Sequence, residues 1–173
     1  PRIHGRNRCP VECLISGWVG DQRKDWSDRG FLEALRDIFD SAEHGYAVIG
    51  SDIGGYSRQA PIPKRLYIRW AQFGALCPLM ETGGRGDHRP WSFDDETVQI
   101  YRYYAKLHTE LIPYLYSDMI RAHKYGGGII RPQPGHWQYL LGPDLLVAVV
   151  YQDVKARIVD LPPGLWVDYW DES

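Results

Sequence analysis

The hydrophobic and polar positions alternate between short apolar runs, turn-rich loops and amphipathic segments. Val11-Glu12-Cys13-Leu14-Ile15 has β character and leads into the loop Ser16-Gly17-Trp18-Val19-Gly20-Asp21-Gln22. Phe31, Leu32, Leu35, Ile38 and Phe39 then recur at helical spacing, with Ser27 or Asp28 placed to cap the helix and Gly45 to close it. Tyr46-Ala47-Val48-Ile49 reads as a buried strand that opens into Gly50-Ser51-Asp52-Ile53-Gly54-Gly55-Tyr56. After a loop holding Pro61 and Pro63, residues 64–73 predict a second helix and residues 75–80 a third strand, followed by the glycine-rich loop 81–89. This is the βα rhythm of a parallel sheet covered by helices. In such sheets ligands meet the loops at the carboxyl ends of the strands, where Asp21, Asp52 and the stretch from Glu81 to His88 fall.

A long helix follows. Ser92 with Asp95 three residues on resembles a capping box, and Val98, Tyr101, Ala105, Leu107, Leu111, Leu115 and Met119 supply an apolar stripe. Pro113 predicts a kink or a division, and Gly126-Gly127-Gly128 a stop. From Ile129 the pattern changes to short β-like runs, 145–150 and 156–159, separated by proline and glycine turns. They mark the start of a separate β-domain. There is no internal repeat beyond the βα rhythm and no low-complexity segment.

Composition narrows the classes. The 173 residues, 20.0 kDa, suit one domain or one with a small appendage, and 44% hydrophobic against 24% charged residues is enough to bury a core. A net charge of −2 argues against a nucleic-acid binder, and no apolar run has the length of a membrane-spanning helix. The opening Pro1-Arg2-Ile3-His4-Gly5 has neither an initiator methionine nor a leader pattern, which points to processing or to a piece of a longer chain. Cys9, Cys13 and Cys77 make no even disulfide set and read as free thiols in apolar strands, favouring a reducing, cytoplasmic compartment. The six histidines have no metal-ligand spacing with cysteine or aspartate, so neither a metal nor a cofactor is expected. Seven tryptophans and twelve tyrosines supply flat surfaces with polar edges, suited to sugar rings and equally to dense cores.

Asp21 and Asp52 are the leading chemical candidates. Each lies just past a predicted strand and beside glycines that allow close approach, and two carboxylates on one rim near aromatics suit glycosidic cleavage by an acid and a nucleophile or base. Aspartates in glycine-rich loops also commonly satisfy turn donors; their equivalent places on neighbouring βα units tilt the reading towards function. His88 can reach a sugar hydroxyl or stand in solvent. Glu81 is a further rim carboxylate without independent support. Arg58, Arg85 and Arg89 could clamp an anion or be ordinary surface. Trp18 could stack on a sugar or belong to the rim's core, and Tyr101, Tyr103, Tyr104, Tyr114 and Tyr116 read as helix packing rather than a ligand surface. A phosphate-cradling loop is set aside: the segment from Gly50 to Gly55 lacks the lysine and the glycine order, and its aspartate would repel phosphate.

Five motifs in order resemble glycoside hydrolase family 31, the retaining α-glucosidases and α-xylosidases. They are Trp18-Val19-Gly20-Asp21-Gln22; Gly50-Ser51-Asp52-Ile53-Gly54-Gly55-Tyr56; Arg69-Trp70-Ala71-Gln72-Phe73-Gly74-Ala75 with Pro78-Leu79-Met80; Leu107-His108-Thr109-Glu110-Leu111-Ile112-Pro113-Tyr114-Leu115; and Arg131-Pro132 with residues 139–148. The resemblance covers almost the whole chain. It implies an α/β fold: the C-terminal third of a (β/α)8 TIM barrel over residues 1–128, followed by the start of an all-β sandwich domain over residues 129–173. It also implies roles. Asp21 matches the general acid/base, Asp52 a substrate-binding carboxylate, Tyr56 an aromatic of the same subsite and Trp18 the aromatic three residues before the acid. The nucleophile of such enzymes is an aspartate on an earlier strand that this sequence does not contain, so the resemblance replaces the pairing of Asp21 with Asp52 as acid and nucleophile.

Family members often carry Arg-Asn-His or Arg-Thr-His after the methionine of the final strand. Here Met80 is followed by Glu81-Thr82-Gly83-Gly84, and the hydroxyl-binding role passes to His88. An arginine shortly before the acid/base corresponds to Arg6 or Arg8. Gln22 after the acid and Tyr56 closing its motif resemble the sulfoquinovosidase branch, where that tyrosine helps hold a sulfonate. The expectation is therefore a fragment of a retaining α-glycosidase that binds a carbohydrate α-glycoside, carries the acid/base without the nucleophile, and is inactive and marginally folded in isolation. The alternative is a non-catalytic carbohydrate-binding or structural fragment of a degenerate paralogue.

Overall fold

The computed structural model describes residues 10–57, 61–84 and 88–171. Strands β1 (Gly17–Trp18) and β2 (Ile49–Gly50) pair in parallel, Gly17 against Ile49 and Trp18 against Gly50. The chain after Cys77 adds a third parallel stretch: Leu79 N–H donates to the Ile49 carbonyl at 3.3 Å, and Asp52 is bridged to Glu81. Helix α1 (Phe31–Glu43) connects β1 to β2, and helix α2 (Lys64–Ala75) connects β2 to the stretch at Glu81. The βα order is realised twice, but the strands expected over 46–49 and 75–80 are corrected: β2 begins only at Ile49, Ala75 closes α2, and residues 76–80 form turns before the bridge at Glu81.

The first expected strand is corrected. Residues 11–13 form a 3₁₀ turn after Pro10, with Ile15 93% exposed, and pairing begins only at Gly17. Apolar character alone does not make a strand; a partner backbone does, and among the described residues β2 reaches no further back than the bond from Gly17 N–H to the Val48 carbonyl. Cys13 is accordingly exposed rather than held in an apolar strand; Cys77 is buried, and Cys9 lies outside the described residues.

Helix α1 buries Phe31, Leu35, Ile38 and Phe39 of the face predicted by the spacing, joined by Ala34 and Ala42, while Leu32 is only partly buried. Neither Ser27 nor Asp28 caps it. Gly30 is the capping residue, because Ser27 is folded into a turn on Asp25, whose Oδ1 accepts the Ser27 N–H at 3.0 Å. The Asp25 carbonyl in turn accepts the Phe31 N–H at 3.0 Å. A side chain at position 30 would lie 2.1 Å from that carbonyl, so glycine is required there. Helix α2 packs Leu66, Tyr67, Trp70 and Phe73 inward, with Phe31 against Trp70 at a centroid distance of 4.7 Å.

Helix α3 (Asp95–Tyr125) is 31 residues long and is capped by Asp94, which accepts from Thr97 N–H, rather than by Ser92, which closes a 3₁₀ turn. It is not divided at Pro113. Leu107, Leu111 and Leu115 are buried on both sides of the proline, and this packing outweighs the one ladder bond that proline removes. Gly126, at φ +77, ends it as expected. Of the helix tyrosines, Tyr101 stacks on Tyr67 and Tyr114 donates to the Leu141 carbonyl at 2.8 Å, whereas Tyr103 and Tyr116 are exposed.

Strands β3 (Ile130–Pro132), β4 (Gln138–Leu141) and β5 (Leu145–Ala148) form an antiparallel sheet. Residues 156–159 do not extend it. The Arg157 guanidinium binds the carbonyls of Trp137 and Val149 at 2.6 and 2.7 Å, tying this segment to the sheet through a side chain, and Ile158 is left 85% exposed. The sheet is tied to the helices by Tyr139, whose buried ring meets Phe39 and Phe73 and whose hydroxyl donates to the Leu76 carbonyl at 2.7 Å. Arg131 of β3 reaches buried Asp118 of α3 at 3.3 Å.

Candidate active site

The three parallel stretches deliver their following loops to one rim, and the loops are laced together by backbone. Gln22, buried behind Asp21, donates its side-chain amide to the Val19 carbonyl at 3.2 Å, and its own carbonyl accepts the N–H groups of Tyr56 and Ser57 at 3.0 and 3.1 Å. The loop after β1 therefore carries the loop after β2. Gly55 has φ +80, and a side chain there would lie 2.8 Å from the Arg23 carbonyl, so only glycine lets the two loops approach this closely. The third loop closes from the other side: His88 Nε2 stands 2.5 Å from the Gly55 carbonyl, and Tyr67 Oη donates to the His88 carbonyl at 2.9 Å.

Within this frame Asp21 is exposed and Asp52 is only 5% exposed. Trp18, half-buried, reaches the Asp52 carboxylate with its indole N–H. Burial first and the Asp21 charge second raise the Asp52 pKa, against the Trp18 hydrogen bond that lowers it, to about 6. Behind it, Trp70 Nε1 donates to Ser51 Oγ at 2.9 Å, which fixes the backbone leading into Asp52. Glu81, half-buried, is lifted to about 7, first by burial and then by the Asp52 charge.

The arrangement brings Trp18, Asp21, Asp52, Tyr56 and His88 to one rim. Tyr56 is 36% exposed, leaving its ring available to a ligand, whereas the His88 ring is buried and already engaged by Gly55. Arg89 is exposed; Arg6, Arg8, Arg58 and Arg85 lie outside the described residues. Sequence reasoning left Glu81 without independent support and read Gln22 only as the motif residue after the acid. Glu81 becomes significant only through its register with Asp52, and Gln22 through the carbonyl it presents to the next loop. Among the described residues no group of three or more histidine, cysteine, aspartate or glutamate side chains is placed to hold a metal ion, and no helix is long and apolar enough to cross a membrane.

The rim lies within a recognisable domain: residues 12–118, more than half the chain, match the glycosyl hydrolases family 31 TIM-barrel domain. The chain belongs to glycoside hydrolase family 31. Residues 132–173 match the C-terminal domain of the same family, in agreement with the change from helices to antiparallel strands.

Family 31 relatives span several named activities. The sulfoquinovosidase of Escherichia coli (strain K12) is 34% identical over 171 residues, covering 88% of this chain and 25% of that protein. Alpha-glucosidase 2 of Bacillus thermoamyloliquefaciens is 27% identical over 175 residues, covering 92% and 22%. A solved family 31 sulfoquinovosidase from E. rectale, in complex with the aza-sugar inhibitor IFGSQ, has a TM-score of 0.80 and 27% identity, covering 92% of this chain and 27% of that one. The chain spans about a quarter of the length of these relatives. Its residues match both the barrel domain and the C-terminal domain of family 31.

Proposed function

We propose that the chain is part of a retaining α-glycosidase, with residues 1–128 forming the C-terminal third of its (β/α)8 barrel and residues 129–173 opening the β-sandwich that follows. A complete barrel of this kind takes about 250 residues. Asp21 is the general acid/base: it protonates the leaving glycosidic oxygen and then takes a proton from the water that releases the sugar from the enzyme. The nucleophile belongs to an earlier strand. Asp52 binds a hydroxyl of the glycone, Trp18 and Tyr56 line the same subsite, and His88 contributes at its edge, its ring fixed on Gly55. The observation that carries this reading is the contrast between the two aspartates. Asp21 is exposed, where a leaving group and water can exchange protons with it, and Asp52 is buried and bonded by Trp18, as a fixed binding group should be.

For the glycone, an α-sulfoquinovoside is favoured over an α-glucoside. Tyr56 ends its motif with a partly exposed phenol that can donate to a sulfonate oxygen, and 34% identity links the chain to a sulfoquinovosidase. The isolated 173 residues are expected to be inactive, since the nucleophile is not among them. The test uses the complete enzyme with matched 4-nitrophenyl α-sulfoquinovoside and α-glucoside, following the first-formed sugar by proton NMR. Release of the α-anomer with a higher kcat/KM for the sulfonated substrate is the expected result. Initial release of the β-anomer contradicts the retaining mechanism, and preference for the glucoside contradicts the substrate.

A further inference from the structure

Asp52 and Glu81 stand opposite each other on adjacent parallel stretches, joined by a bridge and by the bond from Ile53 N–H to the Glu81 carbonyl at 3.1 Å. Residues paired in this way project from the same face of a sheet, so the two carboxyl groups share one side of the rim. One oxygen of each, Asp52 Oδ2 and Glu81 Oε1, is shielded from solvent and has no hydrogen-bond partner among the described residues. The backbone at Gly83 closes over the pair: a side chain there would lie 2.3 Å from Asp52 Oδ1. Among the described residues the Trp18 indole hydrogen-bonds Asp52 and the Asp21 charge acts on it.

Two carboxylates side by side, one buried and one half-buried, repel, and a single proton held between them removes the repulsion. It also creates one acceptor and one donor at neighbouring positions. Adjacent hydroxyls of a pyranose need that combination, because each hydroxyl both donates and accepts. We propose that Glu81 is a second glycone-binding residue: with Asp52 it forms a singly protonated carboxyl pair, Asp52 accepting from one ring hydroxyl and Glu81 donating to the next. The proposal rests on the glycosidase reading of the site and adds to it the group that sets how glycone binding depends on pH. Glu81 donates only while it keeps its proton, which it loses as pH rises through about 7.

The experiment measures the affinity of the complete enzyme and of its E81Q variant for methyl α-sulfoquinovoside and methyl α-glucoside by calorimetry across neutral pH; neither ligand titrates there. For the wild type, affinity should fall above about pH 7, approaching tenfold per pH unit. E81Q keeps a donor without a titrating proton, so its affinity should stay level over the same range. Equal pH dependence in the two proteins overturns the proposal alone, leaving the glycosidase reading intact. A wild-type enzyme that binds neither glycoside contradicts that reading and overturns the proposal with it. Infrared difference spectra of the wild type supply a readout that needs no variant. Between the two pKa values, ligand binding should shift the carbonyl band of one protonated carboxyl, and absence of that band overturns the pair.

Discussion

The backbone N–H of Tyr56 donates to the carbonyl of Gln22 at 3.0 Å, so the aromatic proposed to face the sugar hangs from the residue that follows the proposed acid. Gly55 makes this possible. In Gly55→Ala the added methyl meets the Arg23 carbonyl at 2.8 Å and the backbone is strained at φ +80. Stability should fall by about 1–3 kcal/mol, and KM should rise more than kcat falls because the displaced group binds rather than reacts. Thermal melts and steady-state kinetics of the complete enzyme check both parts. An unchanged KM removes Tyr56 from the subsite.

The buried carboxyls give stability a pH dependence of definite sign. Burial lifts Asp52 from 3.8 to about 6 and Glu81 from 4.5 to about 7, so the folded chain holds protons that the unfolded chain has released. Their stabilising contribution is complete below about pH 4 and is lost as pH rises through 6 to 7. Asp52→Asn and Glu81→Gln, which remove that titration, should each be more stable than wild type at pH 8 by on the order of 1–2 kcal/mol and should flatten the curve. Denaturant melts at several pH values read this directly. Asp52→Asn should at the same time weaken glycone binding, trading stability for loss of the site.

Asp118 joins helix α3 to the antiparallel sheet. Its side chain is 3% exposed and is held by Arg121 Nε at 2.5 Å and Arg131 Nη2 at 3.3 Å. Asp118→Ala leaves two arginines facing each other without the anion and should cost about 2–4 kcal/mol. Urea melts should show that loss, with 0.5 M salt changing it little because the carboxylate is buried.

The thiols differ in environment. Cys13 is exposed, while Cys77 is fully buried and its thiol is pushed far above the ordinary range by desolvation. A thiol reagent on the native protein should label Cys13 and spare Cys77 until denaturant is added, as peptide mapping will show. Labelling of Cys77 in the native protein would contradict its place in the core.

What the sequence made legible follows from which signals are local. The inward face of α1 is a matter of spacing within one helix: Phe31, Leu35, Ile38 and Phe39 are buried as the spacing predicts, while Leu32 is only partly buried. The order strand, loop, helix, strand was also legible, because each element announces itself by its own period. The run from Val11 to Ile15 was misread because a strand needs a neighbour, and Gly17 is where the partner backbone begins. Ser27 was misassigned as a cap for a related reason: it had a nearer partner in Asp25. Residues 156–159 were expected as a strand but are attached to the sheet by the Arg157 side chain, which reaches back to Trp137 and Val149, instead of by backbone pairing. The rim residues Asp21 and Asp52 were visible as carboxylates past strand ends, but the partnership of Asp52 with Glu81 depends on register across residues 29 apart in sequence, which no local pattern carries.

The central claim is that Asp21 is the acid/base of a retaining α-glycosidase, and leaving-group dependence tests it most directly. In Asp21→Asn of the complete enzyme, hydrolysis of an alkyl α-glycoside should fall by about 10²–10⁴-fold. An aryl α-glycoside with a nitrophenol-class leaving group should still give a rapid burst of phenol, because its departure needs little protonation. The glycosyl-enzyme should then accumulate, since its hydrolysis has lost the base, and added azide should release it as the α-glycosyl azide. Wild-type turnover of the alkyl glycoside by Asp21→Asn would contradict the account.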